Sequence, residues 1–214
     1  MGQGVKWNSG FLRSIGWGGL LVGLFLSDLS YAYGVSVTPV FGYSQGISAI
    51  LPGTNVSTGF QNFNFLLGLL WEGKISSQLA LELGFLGAVR GFARKDDGAQ
   101  SSVSFNTVQA PLLLKWQFIP NLSLGFGGYY SYGYGTYTLE NASGSSSLQY
   151  GSGNYSATDY GAVMSVSFKL KLISFISGVV DVRYLLGLGN ISPKTDNSTY
   201  LRDFQFLTGI RIGY

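Results

Sequence analysis

The chain has no cysteine and no histidine among its 214 residues. The first absence excludes disulfides, thiolate metal sites and the lipidated N-terminal cysteine of a bacterial lipoprotein. The second removes the usual base that activates a hydroxyl or a water near neutral pH. Charge is scarce as well: Asp, Glu, Lys and Arg make up 11% of the residues, where about 25% is usual. Long apolar runs are missing too. Only Ile15 to Leu26, IGWGGLLVGLFL, resembles a hydrophobic helix, and it is shorter than the about 20 residues that span a bilayer.

Glycine and aromatic residues are plentiful instead. The 32 glycines argue against a mainly helical chain, since each costs a helix about 1 kcal/mol relative to alanine. Aromatic residues reach 15% and the mean hydropathy is +0.24. A chain this apolar must cover its surface in a large core or in lipid.

The N-terminus has the layout of a signal peptide. Lys6 and Arg13 precede the apolar run, the first acidic residue is Asp28, and Ser30-Tyr31-Ala32 supplies small residues at a peptidase spacing. We expect residues 1–32 to be removed after Ala32, leaving a domain of residues 33–214; the alternative is an uncleaved anchor helix. Subtracting Lys6, Arg13 and Asp28 from the 13 basic and 10 acidic residues leaves a net charge of +2. That balance implies no nucleic-acid partner.

Eight segments beyond Ala32 alternate with period two, the strand period. They begin at Val35, end at Trp71, begin at Gln78, end at Phe118, begin at Leu122, run from Asp159 to Leu172, begin at Ser177, and close the chain as FQFLTGIRIGY from Phe204 to Tyr214. Tight connections at 72–77, 119–121 and 173–176 alternate with longer ones at 44–59, 94–102, 140–158 and 189–199. An antiparallel barrel in a bacterial outer membrane sorts its loops in this way, with short turns at one end and long loops at the other. The fold class is therefore all-β, a closed up-and-down transmembrane β-barrel of eight strands, with ten as the alternative count.

The side-chain phase agrees. Leu79, Leu81, Leu83 and Phe85 oppose Glu82 and Arg90; Ala110, Leu112, Leu114, Trp116 and Phe118 oppose Gln109 and Lys115. Tyr43, Trp71, Trp116, Phe118, Tyr134 and Tyr137 are placed for the aromatic girdles at the membrane interfaces. An eight-stranded barrel is only wide enough to be filled by side chains. Glu82, Arg90, Lys115, Lys169, Lys171, Asp181, Arg183 and Arg211 are thus expected to form an ion-paired network in the lumen. Pro111, inside a strand without an N–H to donate, predicts a bulge.

Catalytic, cofactor and metal residues: none are expected, and the chain is read as a non-enzyme. Asp96-Asp97, in KDDG, reads as a turn. GFGGYYSYGYG from Gly125 lacks the Lys-Ser/Thr of a phosphate loop. The Tyr-bearing loop of residues 140–158 reads as mobile rather than as a glycan site.

Several segments resemble the PorT-like outer-membrane β-barrel family of Bacteroidetes-type bacteria: VQAPLLLKW from Val108, the Gly- and Tyr-rich stretch Leu124 to Tyr134, VRYLLGLGNI from Val182, and Gly209 to Tyr214. The resemblance implies a barrel in the outer membrane, some of whose relatives assist protein secretion and gliding machinery. The ending resembles the signal read by barrel-assembly machinery, with Phe204, Phe206, Ile210, Ile212 and Tyr214 as its alternating residues. The partners expected are outer-membrane lipid, the assembly machinery, and a secretion complex or surface partner met through the loops.

Overall fold

The structure is a computed structural model and describes residues 34–49, 64–96, 99–141, 144–150, 155–191 and 198–213. The expected signal peptide, its cleavage site at Ala32, and Tyr214 lie outside the described residues.

Nine strands form among these residues: β1 (Val35–Ala49), β2 (Asn64–Lys74), β3 (Leu79–Asp96), β4 (Ala99–Ile119), β5 (Leu122–Asn141), β6 (Gly144–Gln149), β7 (Thr158–Ile173), β8 (Ile176–Gly187) and β9 (Leu201–Gly213). All pairings are antiparallel. The order β4-β3-β2-β1-β9-β8-β7-β5, with β5 also bonded to β4, closes a ring of eight. β1 and β9 seal it from Ser36 opposite Gly213 to Ala49 opposite Leu201. Closure leaves no ring strand with an open edge, the condition for placing a sheet in hydrocarbon.

β6 stands outside the ring. β5 pairs with β7 up to Tyr132 and, from Thr136 onward, with β6. The change of neighbour falls at a bulge: between Phe105 opposite Tyr137 and Thr107 opposite Gly133, β5 has extra residues. Gly135 sits there at φ 73°, a left-handed backbone that glycine adopts at little cost. Above the bulge β3, β4, β5 and β6 continue as a sheet beyond the ring.

Two expected loops are corrected by this sheet. Residues 94–102 are not a long loop, because β3 and β4 stay paired to Asp96 opposite Ala99. The described part of residues 140–158 is not a mobile loop either: Gly144–Gln149 is a strand, and Tyr150 and Tyr155 pack inward.

The expected bulge at Pro111 is also absent. The register with β3 and with β5 is unchanged on either side of Pro111, and the shifts in β4 fall at Phe105/Thr107 and Gln117/Ile119. The reason is Gly84: a Cβ there would lie 2.7 Å from the Pro111 ring. The missing side chain on β3 makes the room that a bulge would otherwise provide.

The outward face is continuous and apolar. On β7, Met164, Val166, Phe168 and Leu170 are exposed while Ser165 and Ser167 are buried; Phe41, Phe65, Leu81, Leu114, Phe126, Val180, Phe206 and Ile210 continue the band on other strands. No outward position from Leu79 to Val89, Val108 to Phe118 or Tyr160 to Leu172 is charged. In water such a surface would be a severe aggregation hazard; in a bilayer it is the lipid contact. Among the described residues no helix is long and apolar enough to cross a membrane.

Candidate functional site: a layered lumen and its cap

The inward positions form three charged layers, the upper two separated by leucines and the lower two adjoining. Nearest the long-loop end, Arg90 is fully buried. It donates from Nε to Asp203 at 2.6 Å and from Nη1 to Asp159 at 2.6 Å. Its Nη2 donates to the Tyr129 hydroxyl at 3.3 Å, and that hydroxyl donates to Asp159 at 2.8 Å. Its Cζ also lies 5.3 Å from the centre of the Tyr129 ring, within cation–π range. This layer holds one cation against two carboxylates.

The middle layer is balanced. Arg183 donates from Nη2 to Glu82 and to Asp181, each at 2.7 Å. Lys115 donates to Ser167 at 2.9 Å and pairs with Glu82 at 2.5 Å and Asp181 at 3.4 Å. Two cations thus meet two carboxylates in the buried centre, where either sign left alone would be very costly. Between this layer and the upper one, Gln205 donates to Gln109 at 2.9 Å, with Leu66, Leu70, Leu86, Leu113, Leu185 and Leu207 packed around.

The third layer lies at the tight-turn end. Glu72 accepts from Lys169 at 2.8 Å and pairs with Arg211 at 3.0 Å and, more distantly, with Lys115 at 3.9 Å. One carboxylate here faces two cations of its own layer. Among the described residues, five cations and five carboxylates meet in these layers, with two carboxylates to one cation at the long-loop end and two cations to one carboxylate at the tight-turn end.

Seven of the eight charges expected in the lumen are in these layers. Lys171 is not: it is exposed, beside the turn that joins β7 to β8, where the inward phase has run past the end of the barrel. Three members are not among those expected from the sequence. Glu72 falls in the expected 72–77 turn, but β2 runs on to Lys74; Asp159 and Asp203 share the inward phase of Ser165 and of Gln205, and that phase is the sequence signal for them. Phe204, Phe206, Ile210 and Ile212 all face outward on β9.

A cap closes the long-loop end. Phe92, Val103, Phe105, Tyr137, Ile191 and Leu201 are buried together, with Leu139, Tyr150 and Tyr155 against them. Phe105 lies 5.5 Å from Tyr155, 6.0 Å from Tyr137, 6.1 Å from Phe92 and 6.3 Å from Tyr150, centre to centre. Tyr137 was expected in a girdle, but its phase points into this cluster. Tyr43, Trp116, Phe118 and Tyr134 do face outward. Burial among the rings, with Tyr134 and Tyr137 nearby, pushes the Tyr150 hydroxyl up to about 12. Among the described residues no group of three or more acidic side chains is placed to hold a metal ion.

A closed ring of eight strands with a charged interior and an apolar exterior defines the class: a small β-barrel of the bacterial outer-membrane type. Among solved structures it is similar to the outer membrane protein OprG from Pseudomonas aeruginosa, at 11% identity over 83% of this chain and 94% of that one, with a TM-score of 0.52. Neisserial surface protein A matches at 12% identity over 85% and 97% of the two chains, TM-score 0.45. Ail, the attachment invasion locus protein of Yersinia pestis, matches at 12% identity over 83% and 98%, TM-score 0.40. No family model and no curated protein matches the sequence.

Proposed function

We propose that the protein is a non-enzymatic outer-membrane barrel whose lumen is a structural plug and whose function lies at its long-loop end, in contact with a structural or surface partner. The observation that carries this reading is the interior itself. Three ion-paired layers fill the barrel from the tight-turn end upward, and the aromatic cap stands over the last of them. Short turns in such barrels face the periplasm and long loops face outward, so the cap and the β3–β6 sheet would be the surface presented to the exterior.

The absence of histidine supports the non-enzymatic reading. The PorT-like resemblance, carried by segments in β4, β5, β8 and β9, supports a finer alternative, an accessory of a secretion complex; a narrow channel is the other transport reading. The outward row Phe204, Phe206, Ile210 and Ile212 supports an assembly signal on the closing strand. Replacing Tyr214 with Ser should lower the amount of heat-modifiable protein in the outer-membrane fraction; an unchanged amount would remove Tyr214 from that signal.

Single-channel recording in planar bilayers tests the main reading, on protein verified by its heat-dependent gel shift. Electrical silence is the expected result. Steady discrete openings would overturn the plug and favour the channel.

A further inference from the structure

The tight-turn end of the lumen opens to solvent as a shallow, narrow recess lined among others by Glu72, Lys74, Lys115, Gln117, Ser123 and Lys169. Its charge is not balanced. Lys115 is already held by Glu82 and Asp181, and the single lining carboxylate, Glu72, is shared between Lys169 and Arg211. Lys74 in the lining and Lys171 beside the β7–β8 turn at the same end are exposed, and among the described residues neither has an ion-pair partner. A second observation points the same way: Ser123, 2% exposed, lines the recess with a buried Oγ that has no hydrogen-bond partner. Buried hydroxyls are normally satisfied.

A converging set of ammonium groups and an unpartnered hydroxyl is complementary to an oxyanion, which accepts several charge-assisted hydrogen bonds at once. Lysine serves such a group as a mobile point charge, able to reach from the rim. The upper layer, with two carboxylates to one arginine, offers no such environment. The polarity of the lumen therefore directs an anion to one end only.

We propose that this recess is a binding site for a phosphate-type oxyanion, with Lys74 and Lys169 as its cationic ligands, Ser123 as a hydroxyl donor, and Lys171 as an outer attractor. The oxyanion has two possible sources: a free periplasmic phosphate, or the headgroup of an anionic phospholipid in the adjoining leaflet. The proposal depends on the barrel and its polarity, not on whether the lumen conducts, so the recording above and the experiment below can fail separately.

The experiment is isothermal titration of inorganic phosphate into the full chain in phosphatidylcholine nanodiscs, at ionic strength held constant with chloride. A free-phosphate site gives saturable one-to-one binding, weakened about tenfold by Lys74→Gln or Lys169→Gln, the scale of losing one charge-assisted contact, and less by Ser123→Ala. Arg202→Gln, at the opposite end, leaves it unchanged. Nanodiscs containing phosphatidylglycerol form the second arm: a headgroup site gives no phosphate binding in phosphatidylcholine but retains phosphatidylglycerol in native mass spectra, and a Lys74→Gln/Lys171→Gln variant loses it. Each sample is accepted only with its heat-dependent gel shift intact. No binding in either arm, or binding indifferent to the lysine substitutions, overturns the proposal.

Discussion

Arg90 is the residue whose loss should be felt most. It donates to two buried carboxylates and a phenol, and no other described cation reaches Asp159 or Asp203. Methionine in its place keeps much of the side-chain length but leaves both carboxylates buried without a cation. Removing one member of a buried pair costs about 3–5 kcal/mol, because the remaining charge is uncompensated. Here two acids share one base; they will relieve part of the repulsion by taking up a proton, so the same range is the expectation rather than twice it. With a urea slope of about 2 kcal/mol per molar, the unfolding midpoint falls by about 1.5–2.5 M. Trp71 and Trp116, in the barrel wall, report the transition by fluorescence in phospholipid vesicles. The diagnosis is completed by Arg90→Met/Asp159→Asn/Asp203→Asn, in which nothing charged remains. That variant should recover more than half of the loss, a non-additivity that only a shared network produces. A midpoint for Arg90→Met within about 0.5 M of the parent, or no recovery in the triple variant, would refute the account of this layer.

Other perturbations probe the remaining parts. Asp181→Ala strips Arg183 and Lys115 of one carboxylate while leaving Glu82 to both, so the loss should be smaller, about 2–3 kcal/mol, read by the same urea unfolding; an unchanged midpoint would separate Asp181 from the network. Gly84→Val puts a branched side chain against the Pro111 ring and should lower the yield of heat-modifiable barrel, whereas Gly87→Val, where a Cβ meets only ordinary contact, should not. The Tyr150 hydroxyl titrates higher in the folded cap than the about 10 of an exposed tyrosine, and ionisation is opposed by burial. The contribution of the neutral phenol is therefore complete below pH 10 and is lost as pH rises toward 12. Ultraviolet absorbance of tyrosinate, followed with and without Tyr150→Phe, should show one late-titrating phenol that the substitution removes; identical curves would remove Tyr150 from that assignment.

How much of this was legible in the sequence depended on whether a residue's role was local. Strand phase is local: the alternation through Leu79–Phe85, Ala110–Phe118 and Tyr160–Leu172 identified the wall and its inner face directly, because a barrel between lipid and a polar filling has a strict period of two. Pairing across the lumen is not local. Arg90 and Asp203 are 113 residues apart, and no pattern near either announces the other. The ends of strands were misjudged for a different reason. Ser, Gly and Asn look the same in a loop as in a sheet that rises clear of the membrane, so the sequence alone presents residues 94–102 and 144–149 as loop. Tyr137 suffered from abundance: tyrosines crowd both faces of β5, and the phase of one of them fixes nothing until the bulge at Gly135 is seen. Pro111 failed because the compensation came from a glycine on the neighbouring strand.

The equal number of opposite charges inside the wall has a consequence for how such a protein can change with time. Outward positions need only be apolar, so Leu, Val, Ile, Phe and Met can replace one another there at little cost, and a lineage can wander far in sequence without disturbing the barrel. Inward ionic positions have no such freedom. A single exchange strands a partner, and the tolerable route is two or three coordinated substitutions, each intermediate being less stable than either end. Relatives of this protein should therefore be sought less by matching letters along the strands than by matching the sign and height of the side chains that meet across the lumen.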